Sequence, residues 1–216
     1  MAVAFGPHLW CRWVIKHYQT DRLDYPGTGG ELARHLLDEA GLDYVTVELS
    51  HDGDHYDPAN KAVRLEQNHL AGRSLSAVAI AAHEVGHAIQ DRDNYKPLLD
   101  RHRLILSTHQ LQRIGVIIVF AGPVLGVLIR SPALMFLIIA AGILTLSIQV
   151  LIHLATLPVE LDASFNRALP ILDRGGYLPN FDIPAARRLL NAAALTYVSE
   201  SLMTALNLFR WVRILF

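Results

Sequence analysis

The residues with the clearest capacity for chemistry are His83-Glu84-Val85-Gly86-His87, which fit the pattern HExxH. On an α-helix, residues four positions apart lie on one face, one turn along the axis. The rings of His83 and His87 can therefore bind a single Zn²⁺ ion. Glu84 is not spaced to share that ion, but its carboxylate can act as a general base toward water activated by the metal. The motif predicts a hydrolytic metal site.

A catalytic zinc site needs a third protein ligand and an open position for water. We expect the ligand to be Glu160, which follows Pro158 at the end of the apolar residues 132–158. A carboxylate at this border needs a partner such as a metal ion; the alternative is a glutamate that points to water. Asp162 would point away from Glu160 on a helix. It is expected to support the site from outside the ligand set or to face solvent.

Several further polar residues could assist as donors to the tetrahedral oxyanion or from behind the ligands. They are His55, Tyr56, Tyr197, Asp162 and His153. The first two belong to the sequence GDHYDP (53–58), in and beside which Asp52, Asp54 and Asp57 could instead form an oxygen-rich ion site or satisfy the local backbone. His153 belongs to a stripe of polar residues that could form a water-filled path to the metal or could form hydrogen bonds between helices. Tyr197 could instead be a packing residue.

The composition favours a membrane protein and argues against nucleic acid as a partner. Hydrophobic residues make up 52% of the 216 residues and charged residues 18%, with a mean hydropathy of +0.28. The net charge is −1 and no basic stripe is present, so we expect no nucleic-acid binding. Cys11 is the only cysteine, which excludes an internal disulfide and a thiolate zinc site.

Capping residues and local residue patterns identify the helix and strands that must position the site. Thr28 and Glu31 form a capping box that begins a helix, and Gly41 ends it. Residues 44–49 and 62–65 resemble strands and predict a β-hairpin with a long loop.

Longer patterns predict helices. The HExxH motif lies in a helix over residues 74–91, and an amphipathic helix is expected over residues 185–212. Between them, the apolar residues 114–129 and 132–158 correspond to about 24 and 40 Å of helix, against a hydrocarbon core of ~30 Å. We expect a tight transmembrane hairpin, with a buried core hairpin as the alternative. Arginines on both flanks place the polar parts in the cytoplasm by the positive-inside rule.

The expected fold is mainly α-helical, with a HExxH helix and a glutamate-ligand helix flanking the transmembrane hairpin and a small β-hairpin on the cytoplasmic side. The chain forms a single metallopeptidase domain (1–216). Its parts are a partial N-terminal membrane anchor (1–15), a cytoplasmic zinc-site part (16–110), the transmembrane hairpin (111–158), and the glutamate segment with its C-terminal amphipathic helix (159–216).

Four runs of sequence resemble the YugP-type neutral zinc metallopeptidases of bacterial membranes. They are GDHYDP (53–58), HEVGHAIQ (83–90), TLPVELDAS (156–164) and AAALTYV (192–198), and the resemblance covers about residues 24 to 210. It implies that His83, His87 and Glu160 bind one zinc ion per chain and that Glu84 is the base. Together with the apolar hairpin and the arginines that flank it, the resemblance predicts a multi-pass protein of the bacterial inner membrane, with the site on the cytoplasmic side.

Two features depart from that pattern. Family members usually begin with a full membrane helix, whereas residues 1–15 are too short to span a bilayer. In the wider clan of membrane peptidases, an aspartate four residues after the ligand glutamate often orients a zinc histidine, and here that position is Ser164. Asp162 and Asp91 are the candidates to take over that work.

The sequence therefore predicts a membrane-bound zinc metallopeptidase that hydrolyses a peptide or a membrane protein next to the lipid bilayer. The alternative is a zinc-stabilised membrane assembly or binding factor without proteolytic activity, whose metal shell would be closed to water. A third reading is a membrane interaction protein without metal. The sequence specifies no oligomeric state.

Overall fold

The computed structural model describes residues 2–101, 103–104, 108, 114–115, 117–118, 121 and 131–196. Its elements are α1 (Ala2–His17), α2 (Gly29–Glu39), β1 (Thr46–Ser50), β2 (His55–Asp57), β3 (Ala62–Glu66), α3 (Gln67–Leu70), α4 (Leu75–Arg92), α5 (Pro132–Leu161), a π-helix (Asp162–Ala168) and α6 (Leu169–Arg174). Residues 96–101 and 183–196 are also helical.

Helix α4 carries the HExxH motif and lies at the centre of the fold, because every residue from 75 to 88 is buried. The helix begins where predicted: the Ser74 hydroxyl accepts a hydrogen bond from the backbone N–H of Ala77 at 3.1 Å. The Ser76 hydroxyl donates to the carbonyl of Ile15 at 2.6 Å and so fastens α1 to the start of α4. A helix buried on all sides must be enclosed by its neighbours, and α2 and the π-helix pack along it.

The capping box that begins α2 is confirmed. The backbone N–H of Glu31 donates to the Thr28 hydroxyl at 3.2 Å, and the backbone N–H of Thr28 donates to the Glu31 carboxylate at 2.7 Å. Gly41 follows the helix with a φ of +68°, a left-handed conformation that glycine adopts without strain. The N–H of Leu42 then donates to the carbonyl of Leu37 at 2.8 Å, which closes the helix end.

The sheet differs from the predicted hairpin between residues 44–49 and 62–65. Its strand order is β1-β3-β2, with β1 parallel to β3 and β2 antiparallel to β3. The hairpin is formed by β2 and β3, because the Asp57 carboxylate accepts hydrogen bonds from the N–H groups of Ala59 and Asn60 and so stabilises the turn. Strand β3 is therefore central, and β2 is an edge strand.

The predicted transmembrane hairpin is wrong. Within the part of the chain that the structure describes, no helix is both long and apolar enough to cross a membrane. The last turns of α5 pack one face into the protein interior, since Thr156, Val159 and Glu160 are buried. Most of the first predicted arm, including residues 122–130, lies outside the described residues. The prediction that the polar parts of the chain lie in the cytoplasm depended on this hairpin and therefore loses its support.

Candidate metal centre

Helix α4 brings three of the predicted site residues to one place. His83, Glu84 and His87 are buried. The two imidazole rings have centroids 4.7 Å apart and stand at 81° to each other. Their shared direction follows from the four-residue spacing on a regular helix.

Glu160 joins the histidines from the end of α5. Its Oε2 atom lies 3.2 Å from Nε2 of His83 and 3.2 Å from Nε2 of His87. The three side chains thus direct their donor atoms at a common point. Since Glu160 is only 1% exposed, its charge depends on these partners rather than on water.

Close packing between α4 and the π-helix allows Glu160 to reach this point. A Cβ atom on Gly86 would lie 2.9 Å from the carbonyl oxygen of Ala163, closer than real Cβ atoms come. Gly86 therefore permits an approach that a side chain would prevent. The π-helix continues directly from α5, so the same approach positions Glu160. Such widened turns are frequent at functional sites.

Behind the metal-facing atoms, each imidazole meets a fully buried neutral side chain. The Ser164 hydroxyl lies 3.0 Å from Nδ1 of His83, and Oε1 of Gln90 lies 2.9 Å from Nδ1 of His87. Acceptors at Nδ1 hold the rings in place and leave Nε2 for a metal. Ser164, four residues after Glu160, thus supports His83 directly.

Asp91 and Asp162, the candidates for that supporting work, have other partners. The Asp91 carboxylate accepts hydrogen bonds from Tyr56 at 2.7 Å and from Lys61 at 2.5 Å. Asp162 accepts from Nε2 of Gln90 at 2.8 Å, so it supports His87 through an intervening amide.

Burial and charge shift the pKa values of the site in opposite directions. Burial raises the pKa of Glu84 above its usual value, although the two histidines oppose the shift. Burial also disfavours the Glu160 carboxylate, yet His87 and His83 hold its pKa well below the usual range. For His87, burial favours the neutral ring but Glu160 outweighs it and raises the pKa to about 9. Of the two carboxyl groups, Glu84 therefore holds a proton more readily.

Sequence reasoning missed Arg101 and Gln90. Nη1 of Arg101 donates at 3.3 Å to Oε1 of Glu160, whereas the histidines contact Oε2. No motif relates these two residues, which are 59 positions apart. Gln90 was accessible to sequence reasoning, because it follows His87 by three positions and so lies on the same helix face.

The site opens into a cavity of about 480 Å³, which Glu84 and the three converging side chains line. Residues from the β2 strand and the turn after it form one wall. Apolar side chains form much of the remainder, namely Ile15, Ile80, Leu98, Leu99 and Ala193. The buried polar groups are thus accessible to a molecule that enters from outside.

His55 and Tyr56 both line this cavity but differ in their hydrogen bonds. The Tyr56 hydroxyl donates to Asp91, and burial together with this bond raises the pKa of Tyr56 far above its usual value. Nδ1 of His55 lies 3.0 Å from the carbonyl oxygen of Gly53. Because a carbonyl only accepts, Nδ1 carries a proton, and Nε2 becomes a donor only when the ring is charged.

The aspartates of GDHYDP do not form the alternative ion site. The Asp54 carboxylate bonds Nδ1 of His69 at 2.7 Å and the backbone N–H of Glu66 at 2.8 Å. Asp57 instead bonds the turn that follows it and Arg64. Two further candidates cannot be placed: the side chain of His153 and the whole of Tyr197 lie outside the described residues.

A family model described as "Putative neutral zinc metallopeptidase" matches residues 1–216. The chain belongs to this neutral zinc metallopeptidase family. A relative in Bacillus subtilis (strain 168), named "Putative membrane protease YugP", is 36% identical over 217 residues, which cover 98% of this chain and 92% of the relative. No solved structure matches the chain with statistical significance. The family resemblance inferred from four short runs of sequence is confirmed.

Zinc is the cofactor of this metallopeptidase family, and the donor atoms fit it. A tetrahedral zinc ion with bonds of ~2.0–2.1 Å holds its ligand atoms about 3.3 Å apart. Oε2 of Glu160 lies at 3.2 Å from Nε2 of each histidine. Two imidazoles and one carboxylate form the donor set of catalytic sites, which keep a fourth position open.

A second group of potential ligands, Asp54, Glu66 and His69, does not pass the same test. The 2.7 Å between Oδ2 of Asp54 and Nδ1 of His69 is a direct hydrogen bond, too short for two ligands of one zinc ion. Among the described residues, the cluster around Glu160 is thus the one that fits zinc.

Proposed function

We propose that this family member is a peptidase that hydrolyses extended peptide segments at a membrane surface, with His83, His87 and Glu160 as zinc ligands. The observation that carries the proposal is the position of Glu84. It is a buried carboxylate beside the three converging donors, it is spared from the ligand set, and it lines an open cavity. A purely structural zinc site needs neither the base nor the cavity.

Glu84 supplies the proton transfers in this proposal. When bound, zinc provides a Lewis acid that activates water and polarises the scissile carbonyl. Glu84 takes a proton from the attacking water and gives it to the leaving amine. Burial, which raises the pKa of Glu84, brings this carboxylate closer to the range in which a group can both accept and donate a proton near neutral pH.

The edge strand β2 is suited to hold the substrate. Strand β3 lies in the middle of the sheet, where both of its edges are paired. Strand β2 is the edge, and His55 and Tyr56 from it line the cavity. An extended peptide that pairs with β2 would present its scissile bond to Glu84. The apolar cavity walls favour substrates with apolar side chains next to that bond.

Within β2 we assign the role of oxyanion partner to His55 rather than Tyr56. The Tyr56 hydroxyl proton is already donated to Asp91. Nδ1 of His55 is held by Gly53, which fixes the ring while Nε2 remains for the substrate. A charged ring at this position would stabilise negative charge on the carbonyl oxygen.

Membrane association is supported by the name of the Bacillus subtilis relative, which is called a membrane protease. Large apolar side chains are also exposed on α1 and α5, among them Leu9, Trp13, Phe136, Leu137 and Leu144, each at least 60% exposed. Tryptophan is favoured where water meets lipid headgroups. We therefore infer a lipid bilayer as a partner and membrane proteins or nearby flexible segments as substrates.

The test uses the purified full chain in detergent with a fluorogenic, unstructured peptide attached to a lipid anchor. We expect cleavage by the zinc-loaded protein and none by Glu84→Gln, although that variant should keep one zinc per chain. The control is Glu48→Gln, because Glu48 lies on β1 and bonds Thr46 and Arg64 outside the cavity. A zinc-loaded wild type without cleavage would favour the assembly factor, and equal cleavage by Glu84→Gln would remove the assigned base.

A further inference from the structure

Gln90 is a polar side chain on α4 that contacts both His87 and the chain segment that carries Glu160. It lies on α4 one turn after His87 and is 0% exposed. Its amide contacts the ring of His87, the backbone at Val159 and the side chain of Asp162. A fully buried amide depends on such protein partners for its hydrogen bonds.

The partners determine how the amide is oriented. Nε2 of Gln90 lies 2.8 Å from the carbonyl oxygen of Val159 and 2.8 Å from Oδ2 of Asp162. Both atoms accept hydrogen bonds and neither can donate, so they must face the NH₂ group. The amide oxygen Oε1 then faces His87, and this assignment follows from the hydrogen-bond network alone.

The amide orientation in turn determines the protonation of the ring. Oε1 of Gln90 lies 2.9 Å from Nδ1 of His87 and can only accept, so Nδ1 must carry a proton. In the neutral ring, the lone pair is then on Nε2, the atom 3.2 Å from Glu160. The network thus specifies which nitrogen of His87 is left for a metal ion.

Asp162 is itself held in place from the outside. Its carboxylate accepts from Nε of Arg167 at 2.9 Å and from the Asn166 amide at 2.9 Å. Arg167 also donates to Asp93, just beyond α4, at 2.7 Å. The acceptor that orients Gln90 is therefore fixed by groups on both the π-helix and the end of α4.

We propose that Gln90 is a positioning residue for zinc, which sets the nitrogen that His87 presents and ties α4 to the chain segment that carries Glu160. The proposal rests on the zinc site assigned above. Ser164 has a comparable effect on His83, but it bonds only one ring and the carbonyl of Leu190. Gln90 links one ligand, His87, to the backbone next to another, since Val159 directly precedes Glu160.

Two substitutions separate the contributions of the amide. Gln90→Met keeps the length of the side chain but loses all three hydrogen bonds, and we expect zinc affinity to fall about 10- to 100-fold. Gln90→Glu can still accept from His87 but cannot donate to Val159 or Asp162. It should keep the proton on Nδ1 and bind zinc more tightly than Gln90→Met. The matched control is Gln67→Met, at an exposed glutamine on α3, which should bind zinc like the wild type.

The experiment measures zinc affinity by competition with a chromogenic chelator and follows the Nδ1–H proton of His87 by NMR in selectively labelled protein. We expect a slowly exchanging Nδ1–H signal in the wild type and in Gln90→Glu, and its loss in Gln90→Met. Zinc affinity of Gln90→Met within twofold of wild type, or an unchanged Nδ1–H signal, would overturn the proposal. If Gln90→Met does not fold, loss of the signal in Gln90→Glu overturns it.

These outcomes are separate from those that test peptidase activity. Neither readout requires cleavage, so an inactive protein that binds zinc tests Gln90 fully. If the wild type binds no zinc, the metal centre is refuted, while the exchange of the Nδ1–H proton in the zinc-free protein still reports on the bond from His87 to Gln90.

Discussion

Gly86→Ala offers a sharp test of how the metal centre is assembled. The new Cβ atom would lie 2.9 Å from the carbonyl oxygen of Ala163. Ordinary contacts between carbon and a carbonyl oxygen are about 3.3–3.6 Å, so the π-helix must retreat by roughly 0.5 Å. Metal-ligand distances tolerate shifts of only about 0.2 Å. Because Ala163 is joined to Glu160 by one helical turn, we expect zinc affinity to fall on the order of 10- to 100-fold.

The effect on stability should be smaller than the effect on the metal. Crowding costs about 1–3 kcal/mol, but alanine favours a helix over glycine by about 1 kcal/mol, so the zinc-free protein should lose at most ~2 kcal/mol. Ala79→Gly is the matched control, since it makes the reverse change at a buried position of α4, about two turns before Gly86. It should lose about 1–2 kcal/mol of unfolding free energy with unchanged zinc affinity.

The assay combines urea unfolding of the zinc-free proteins with zinc titration against a chelator. Equal zinc affinity in Gly86→Ala and the wild type would refute the reasoning that close approach at this glycine positions Glu160. A parallel loss in the Ala79→Gly control would show instead that zinc binding merely follows overall stability.

Three further predictions concern protons and the β2 strand. Because the pKa of His87 is raised to about 9, zinc must displace a proton from this ring below that pH. Zinc affinity measured by chelator titration should therefore fall about tenfold per pH unit as the pH decreases from about 9 to about 7. An affinity that does not change over this range would contradict the charge pairing of His87 with Glu160. His55→Ala should lower kcat about 100-fold, whereas Tyr56→Phe should keep at least a third of it in the same peptide assay; the reverse order would exchange the two roles. The pKa of Asp57 is lowered to about 2 by its bonds to Asn60, so it stabilises the fold above pH ~4 and this stabilisation is lost as pH falls toward 2. In Asp57→Asn, the free energy of unfolding should therefore fall less steeply with decreasing pH. An unchanged pH dependence in acid-unfolding measurements would show that the Asp57 carboxylate does not stabilise the fold.

Local signals in the sequence predicted the elements around the site well. The capping box of Thr28 and Glu31 lies in neighbouring residues, so it could be recognised without a fold. The common direction of His83 and His87 follows from helix geometry alone. Glu160 was proposed from its place at an apolar border, and the structure puts its carboxylate 3.2 Å from both rings.

Features that depend on the packing of distant segments were not accessible in this way. The parallel pairing of β1 with β3 required knowing that β2 takes the other edge. Arg101 reaches Glu160 only because separate helices converge. The transmembrane hairpin was inferred from apolar length, which does not distinguish lipid from a protein interior, and one face at the end of α5 packs into that interior.

The most direct test of the central claim is zinc content measured together with X-ray absorption at the zinc edge, for the wild type and for Glu160→Ala. The account predicts one zinc per chain in the wild type, with two imidazole nitrogens, one carboxylate oxygen and one further oxygen at about 2.0–2.1 Å. It also predicts loss of tightly bound zinc in Glu160→Ala. Full zinc occupancy with the same spectrum in that variant would show that Glu160 is not a ligand and would contradict the proposed metal centre.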